Sequence, residues 1–321
     1  MIKTLYRNQY SIKRILSNGG FSAIYLAEDN ESQTEVTLKV GRIEHDDPGY
    51  AKSIREEARL LGELNYPEGH PHIVQIKPIQ RANGKPDVYV ARAVEMPGSP
   101  YFFVMEYLQG GTLDTYLKQV KRLSVGESAA IALDLARALH YLHKKGYAHN
   151  DLKPENVVFR QPVEAGAAFS TTLIDFGIAT RTRLQIHAGS ANVMAPEQLK
   201  QARMETPPEF SADIDLKKVD VWGLGIMLYR MLGGRLPFED RDEGRLTSRI
   251  IASHPSSLQQ LSQNIPAEID RLILEGCLAK LPEDRLSMVE LGHELRRLGH
   301  GVSASKGART RRLGWPFFGR G

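Results

Sequence analysis

Apolar and polar positions alternate from Tyr10 to Val40, through YSIKRILS, a glycine-bearing turn, SAIYLAED, a polar turn at Asp29 to Gln33, and TEVTLKV. A period of two predicts short strands, with Val36, Leu38 and Val40 on one face and Thr37 and Lys39 on the other. From about Tyr50 to Leu64 the spacing of Ile54, Ala58 and Leu61 predicts a helix. After the loop NYPEGHPH, residues 73 to 107 again predict strands, broken by turns at Asn83-Gly84 and near Pro97 to Pro100. Beyond Gly110-Gly111 helical patterns dominate. Ser124 and Glu127 form a capping-box pair ahead of the stripe Ile131, Leu135, Leu139 and Leu142, which ends at Gly146. The run VDVWGLGIMLYRML is apolar nearly all round and stops at Gly233-Gly234, which predicts a helix buried inside a lobe. Two more helices are expected near 266 to 280 and 287 to 298. The pattern holds no internal repeat. It predicts an α+β fold: a lead-in over residues 1 to 9, a small sheet-rich lobe with one helix over about 10 to 107, and a larger helical lobe over about 108 to 297. The hinge is expected near Glu106 to Gly111.

Composition narrows the class. The 321 residues are 41% hydrophobic, 25% charged and 7% aromatic, the balance of a soluble globular protein. The most apolar stretch, Val219 to Leu232, is interrupted by charge and falls short of the about 20 residues a membrane helix needs. MIKTLYRNQYSIKR lacks the continuous apolar region of a secretory signal. The single cysteine, Cys277, cannot form an internal disulfide, so a reducing, cytoplasmic setting is expected.

The net charge of +4 comes from 42 basic and 38 acidic residues. Residues 298 to 321 hold Lys306, Arg309, Arg311, Arg312, Arg320 and no acid, so this tail carries +5 and the preceding 297 residues carry −1. The tail also holds Trp315, Phe317 and Phe318. A solvated, disordered terminus is the favoured reading there, contact with an anionic surface the alternative, and specific nucleic-acid binding is not expected.

The chemistry concentrates in HNDLKPEN, residues 149 to 156, and in Asp175-Phe176-Gly177. A carboxylate, a lysine two positions on, an amide five positions on and a second carboxylate suit a nucleotide and its metal. Hard oxygen donors at Asn156 and Asp175 fit Mg²⁺, which binds triphosphates through few protein contacts. Asp151 would orient or accept the proton of an attacking hydroxyl, and Lys153 would neutralise charge developing on a transferred phosphoryl group.

With these motifs the sequence resembles the eukaryotic-type protein kinase superfamily over roughly residues 10 to 297, and the roles that follow are what that resemblance implies. HNDLKPEN looks like the catalytic loop, Asp175-Phe176-Gly177 the metal-binding motif, and Ala195-Pro196-Glu197 the end of the activation segment. Asp220 in DVWGLG looks like the helix residue that braces the catalytic loop, and Arg285 like the partner of Glu197. Lys39 in VTLK is similar to the lysine that holds the α- and β-phosphates, and Glu57 to its helix partner. FVMEYLQGG resembles the hinge, which makes Met105 the gatekeeper and assigns the adenine edge to the backbones of Glu106 and Leu108. The implied fold is bilobal, the nucleotide is ATP with Mg²⁺ or Mn²⁺, and the partner is a protein with a Ser or Thr hydroxyl. The nucleotide site would comprise Leu16, Ser17, Asn18, Gly19, Gly20, Phe21, Ser22, Ile24, Thr37, Lys39, Met105, Glu106, Leu108 and Val158.

Three departures qualify the resemblance. The glycine-rich loop reads Ser17-Asn18-Gly19-Gly20-Phe21-Ser22, and serine at the outer positions restricts φ > 0, so weakened nucleotide affinity is expected. Thr37 stands where the family commonly has alanine, making the adenine pocket more polar or crowded. Asn150 replaces the arginine that pairs with a phosphorylated activation loop and cannot make that charge-assisted bond. Activity independent of Thr180 and Thr182 is therefore expected, with Ser190 a structural contact of Asp151 and Lys153. DLKPEN with Ser190 resembles the Ser/Thr branch, and Thr112 gives no support for reading a basic substrate residue. Two other classes stay open: a pseudokinase acting as a scaffold, and a small-molecule kinase of related fold.

Overall fold

In the computed structural model, which describes residues 4–20, 22–42, 48–81, 86–164, 168–177, 179, 191–203 and 215–304, the alternating segments form the expected ladder. The strands of the small lobe are β1 (Thr4–Leu5), β2 (Tyr10–Asn18), β3 (Ser22–Asp29), β4 (Thr34–Gly41), β5 (Ile76–Lys77), β6 (Ala91–Arg92) and β7 (Tyr101–Glu106), with helix α1 (Pro48–Asn65) between β4 and β5. All pairings are antiparallel, in the order β1-β2-β3-β4-β7-β5, and β6 shares the far edge of β7 with β5.

The two faces of β4 do different things. Val36, Leu38 and Val40 join Leu5, Tyr10 and Phe102 in a core on the outer face. Thr37 and Lys39 alternate to the opposite face and are also buried, at 8% and 5% exposure. On that inner side Ile54, Ala58 and Leu61 of α1 are buried as their spacing predicts, together with Leu60 and Leu64. Each fully buried Leu or Ile contributes about 1.5–3 kcal/mol, so this stripe fixes the rotation of α1 about its axis. Glu57, between Ile54 and Leu61, is thereby carried inward to 3% exposure.

The stretch from 73 to 107 is less regular than its pattern predicts. Among the described residues of this stretch only β5, β6 and β7 form ladders, and Pro78, Pro86, Pro97 and Pro100 each lack the N–H a ladder needs. Ile79 and Ala93 instead wrap the outer core. The expected Asn83-Gly84 turn lies outside the described residues, whereas the one near 97–100 is present, with Gly98 and Ser99 at φ 71° and 50°.

The large lobe contains α2 (Leu113–Val120), α3 (Val125–Lys144), β8 (Val157–Phe159), β9 (Thr171–Leu173), α4 (Pro196–Arg203), α5 (Leu216–Gly233), α6 (Glu243–Ala252), α7 (Leu258–Leu261), α8 (Ala267–Arg271) and α9 (Met288–Ala304). The capping box forms: Ser124 Oγ accepts from Glu127 N at 3.3 Å and Glu127 Oε2 from Ser124 N at 2.8 Å. Every residue of α5 from 219 to 229 is buried, as its unbroken apolar run predicts. The helix expected near 266 to 280 continues α8 with a wider turn, in which Leu278 N–H bonds the Ile273 carbonyl five residues back at 2.9 Å. Helix α9 runs through Ala304, past the expected boundary at 297. Residues 305–321, with all five basic side chains of the tail, lie outside the described residues. Among the described residues no helix is long and apolar enough to cross a membrane.

A second connection besides the hinge joins the lobes. The chain after α1 runs beside β9, with Val74 N–H bonding the Leu173 carbonyl at 3.0 Å and Leu173 N–H bonding the His72 carbonyl at 2.8 Å. One apolar core accordingly runs from Leu61 through Ile73 and Phe176 into α3 and α5. Asp175, two residues beyond β9, inherits its position from both lobes.

Candidate active site

Lys39 emerges from the inner face of β4 beneath α1. Its Nζ lies 2.8 Å from both carboxylate oxygens of Glu57 and 2.8 Å from Asp175 Oδ1. Burial alone would push Lys39 down, but the charges of Asp175 and Glu57 outweigh it and hold the ammonium above its usual range. For Glu57 burial wins and raises the carboxyl, against the pull of Lys39 and of the Phe176 N–H it accepts at 3.1 Å. Asp175 is also penalised by burial, yet Lys39 holds it down at about 2. Its side chain keeps 37% of its surface open to the cleft. Two carboxylates on one ammonium leave a net charge of −1, and the more open of the two faces the cavity between the lobes.

Opposite this triad lies the loop that follows α3. Lys153 Nζ donates to Asp151 Oδ2 at 2.7 Å, and Asn156 Nδ2 donates to the same oxygen at 3.1 Å and to the Asp151 carbonyl at 2.9 Å. Asp151 Oδ1 and Asn156 Oδ1 are the oxygens left for other partners. The Asn156 carbonyl accepts from Ile174 N at 2.9 Å, which ties this loop to the residue before Asp175.

The loop's curvature is imposed from α5. Asp220, 1% exposed, accepts the His149 N–H at 2.9 Å and the Asn150 N–H at 2.8 Å, and its Oδ2 bonds His143 Nε2 at 2.8 Å. Asn150 is held at φ 65°. Gly223 makes the approach of α5 feasible, since a Cβ there would lie 2.9 Å from Leu152 Cβ. Arg285 meets Glu197 through two bonds of 2.7 and 2.8 Å, the pairing expected from the motifs. His149 and Phe176 pack edge to face with centroids 5.1 Å apart.

Of the residues expected to take the adenine, Leu16 and Ile24 are half-buried on β2 and β3, Thr37 lies opposite Met105 across the β4–β7 ladder, and Val158 on β8 is 8% exposed. Met105 also belongs to the apolar core, so its packing and cleft positions coincide. Glu106 and Leu108 follow in the hinge. Thr112 serves the fold by N-capping α2, where its hydroxyl accepts from Thr115 N at 3.1 Å.

The glycine-rich loop is a hairpin in which Ser17 pairs with Ile24, Asn18 with Ala23 and Ser22 with Gly41, closed by Gly19 N–H to the Ser22 carbonyl at 3.0 Å. None of its described residues has positive φ. The expected conformational restriction by Ser17 and Ser22 therefore does not arise, because both sit in ordinary extended backbone. Phe21 lies outside the described residues, as do Thr180, Thr182 and Ser190.

Sequence reasoning missed a clamp on the hinge. Arg160, just after β8, bonds Glu106 Oε2 at 2.9 Å and Oε1 at 3.2 Å, and donates to the Pro71 carbonyl at 2.7 Å. Glu106 Oε1 also accepts from Gln75 N at 3.0 Å. Arg14 on β2 donates to Tyr107 Oη at 3.3 Å, bridging the roof to the hinge. No spacing rule links residues so far apart in the chain. Among the described residues no group of three or more His, Cys, Asp or Glu could hold a metal ion.

Comparison with known proteins agrees with this geometry. The model of the protein kinase domain matches residues 10–295. Similar curated proteins include the serine/threonine-protein kinase PrkC of Bacillus subtilis, 27% identical over 289 residues that span 88% of this chain and 39% of PrkC. PkaB of Streptomyces coelicolor is 28% identical over 299 residues, spanning 91% of this chain and 63% of PkaB, and PknB of Mycobacterium tuberculosis is 27% identical over 297 residues, spanning 92% and 43%. The chain thus covers less than two thirds of the length of each of these relatives. Since the domain model takes in both lobes, from β2 into α9, the chain belongs to the protein kinase domain family.

Proposed function

We propose that this chain is a serine/threonine protein kinase that transfers the γ-phosphoryl group of ATP to a Ser or Thr hydroxyl of a protein. The observation that carries the reading is the joint placement of Lys39 against Glu57 and Asp175 at 2.8 Å, facing an Asp151 already oriented by Lys153 and Asn156. Leu16, Ile24, Thr37, Met105 and Val158 form the slot for the adenine, and the backbones of Glu106 and Leu108 bond its edge. Residues 17–22 cover the phosphates, and Lys39 holds the α- and β-phosphates.

Asp151 Oδ1 accepts the hydrogen bond of the substrate hydroxyl and takes its proton as the new O–P bond forms and the β–γ bridging bond breaks. Lys153 balances charge on the transferred group. Asn156 Oδ1 and the cleft-facing oxygen of Asp175 are hard donors beside a site of net −1, which suits Mg²⁺ or Mn²⁺. The cation supplies neutralisation of the phosphate oxygens. ATP is a cytoplasmic substrate, and the cytoplasm is the location this reading assigns.

Neutral Asn150 also supports activity that does not wait for activation-loop phosphorylation, with alanine at Thr180 and Thr182 leaving the rate intact. The test is transfer from labelled ATP with Mg²⁺, comparing wild type with Asp175→Ala. Labelling of a generic protein that vanishes in the variant supports the kinase. Nucleotide binding without labelling in the wild type overturns it.

A further inference from the structure

Where Tyr6, Val88 and Ala91 pack on the outer core of the small lobe, the hook after β1 and the described residues flanking β6 form an open cavity of about 390 Å³. Three arginines are among its lining residues, Arg7, Arg81 and Arg92, against the single acid Glu95, a net charge of +2. The rest of the lining is mainly apolar, with Val88 and Val94 on the wall and Val94 itself 65% exposed. A phosphate monoester carries about −1.5 to −2 near neutral pH, which matches that charge.

All three arginines are exposed, and among the described residues none of them makes an ion pair. Arg92 donates to the Ser99 carbonyl at 3.2 Å and to Tyr101 Oη at 3.0 Å, with its guanidinium carbon 4.3 Å from the Tyr101 ring centre. Arg7 is presented by a hook in which Tyr6, Arg7 and Asn8 have φ of 52°, 57° and 64°. Three successive left-handed, non-glycine residues are costly and must be held by their surroundings. Glu95 does this, accepting the Arg7 backbone N–H at 3.0 Å, while Thr4 Oγ1 bonds Asn8 Oδ1 at 2.7 Å. Burial pushes the Glu95 carboxyl up, but the backbone N–H groups of Arg7, of Glu95 itself and of Tyr6 outweigh it and keep it below the usual range. The one acid of the cavity is thus engaged by backbone. Among the described residues the side chains of Arg7 and Arg81 make no ion pair or hydrogen bond.

We propose that this cavity docks a phosphorylated serine or threonine of a peptide segment, its phosphate held by Arg7, Arg81 and Arg92 and its neighbouring side chains laid on the Val88–Val94 wall. Guanidinium forks suit phosphate because two parallel N–H donors meet two oxygens. A polyanion such as nucleic acid would need a basic track along many phosphates, whereas this charge serves one group beside an apolar wall. The site is separate from the cleft and does not depend on turnover.

The test measures fluorescence anisotropy of a fluorescein-labelled, valine-flanked phosphothreonine peptide binding to the full chain saturated with Mg-ADP. The unphosphorylated peptide and inorganic phosphate serve as competitors. The phosphopeptide is expected to bind at least about tenfold more tightly than either, and Arg7→Glu combined with Arg81→Glu to lose at least about tenfold. Val94→Asp, at an exposed position, is expected to weaken binding with an unchanged melting temperature, and Asp151→Asn to bind like wild type. Equal binding of the unphosphorylated peptide, full affinity in the arginine variant or in Val94→Asp, or loss in Asp151→Asn alone overturns the assignment. So does equal competition by inorganic phosphate, or preferential binding to phosphatidylserine vesicles.

Discussion

The floor of the cleft and its roof differ in how firmly they are held. On the floor, Asp151 takes bonds from Lys153 and Asn156, Asn156 is tied to Ile174, and the loop beneath is bonded to buried Asp220. On the roof, residues 17–20 are exposed and rely on the hairpin, its closing Gly19–Ser22 bond and a contact from Arg42 to Asn18. Charged groups that act on a reacting phosphate must be fixed to within fractions of an ångström, so each is determined more than once. A cover that works through backbone N–H groups carries no such demand. That contrast fits a sequence that keeps Asp151, Lys153 and Asp175 in the floor and departs from the family's glycine pattern in the roof.

The comparison can be broken at several points. The largest effect is expected from Asp151→Asn, a fall of about 10²–10⁴ in kcat with nucleotide affinity unchanged, measured by steady-state transfer from labelled ATP. A roof substitution with an equal effect would remove the distinction. Next, Glu57→Ala strips one partner from a buried ion pair and should lower unfolding free energy in urea by about 3 kcal/mol, the low end for such a loss because Lys39 retains Asp175. No change in the urea midpoint would show that the pair adds nothing to the fold.

Acid should act on the same triad. Asp175 is held at about 2 against an ordinary 3.8, a depressed folded value. Its stabilisation is therefore complete above the unfolded value and is lost as pH falls from about 4 towards 2. The stability gap between wild type and Asp175→Asn should be flat near neutrality and close over that acid range; a gap that widens on acidification contradicts the assigned sign. The smallest effect is expected from Ser17→Gly, a change of less than about twofold in ADP affinity by calorimetry, since position 17 needs no left-handed backbone. Tenfold tightening would show that the roof's side chains matter after all.

Much of the floor was legible because its chemistry sits in short motifs. HNDLKPEN places Asp151, Lys153 and Asn156 within six residues, and the stripe Ile54, Ala58, Leu61 turns Glu57 inward without reference to anything distant. The Arg160 clamp on Glu106 was not legible. An arginine after a strand is commonplace, and its partners lie 54 and 89 residues away in sequence. For the same reason the outer cavity stayed hidden: Arg7, Arg81 and Arg92 become neighbours only once the proline-rich segment wraps the sheet. The strand reading of 73–107 was overstated, because Ile79 and Ala93 face the outer core without belonging to a strand.

The bonds from Asp220 reach the catalytic loop through main-chain N–H groups at 149 and 150, so the brace itself does not use the side chain at 150. Evolution can therefore exchange that side chain as an input while leaving the engine untouched. On the proposed reading, an arginine there would tie activity to a phosphorylated activation loop, and neutral Asn150 makes no such charge-assisted bond. Control and catalysis are inherited as separable characters, written one residue apart.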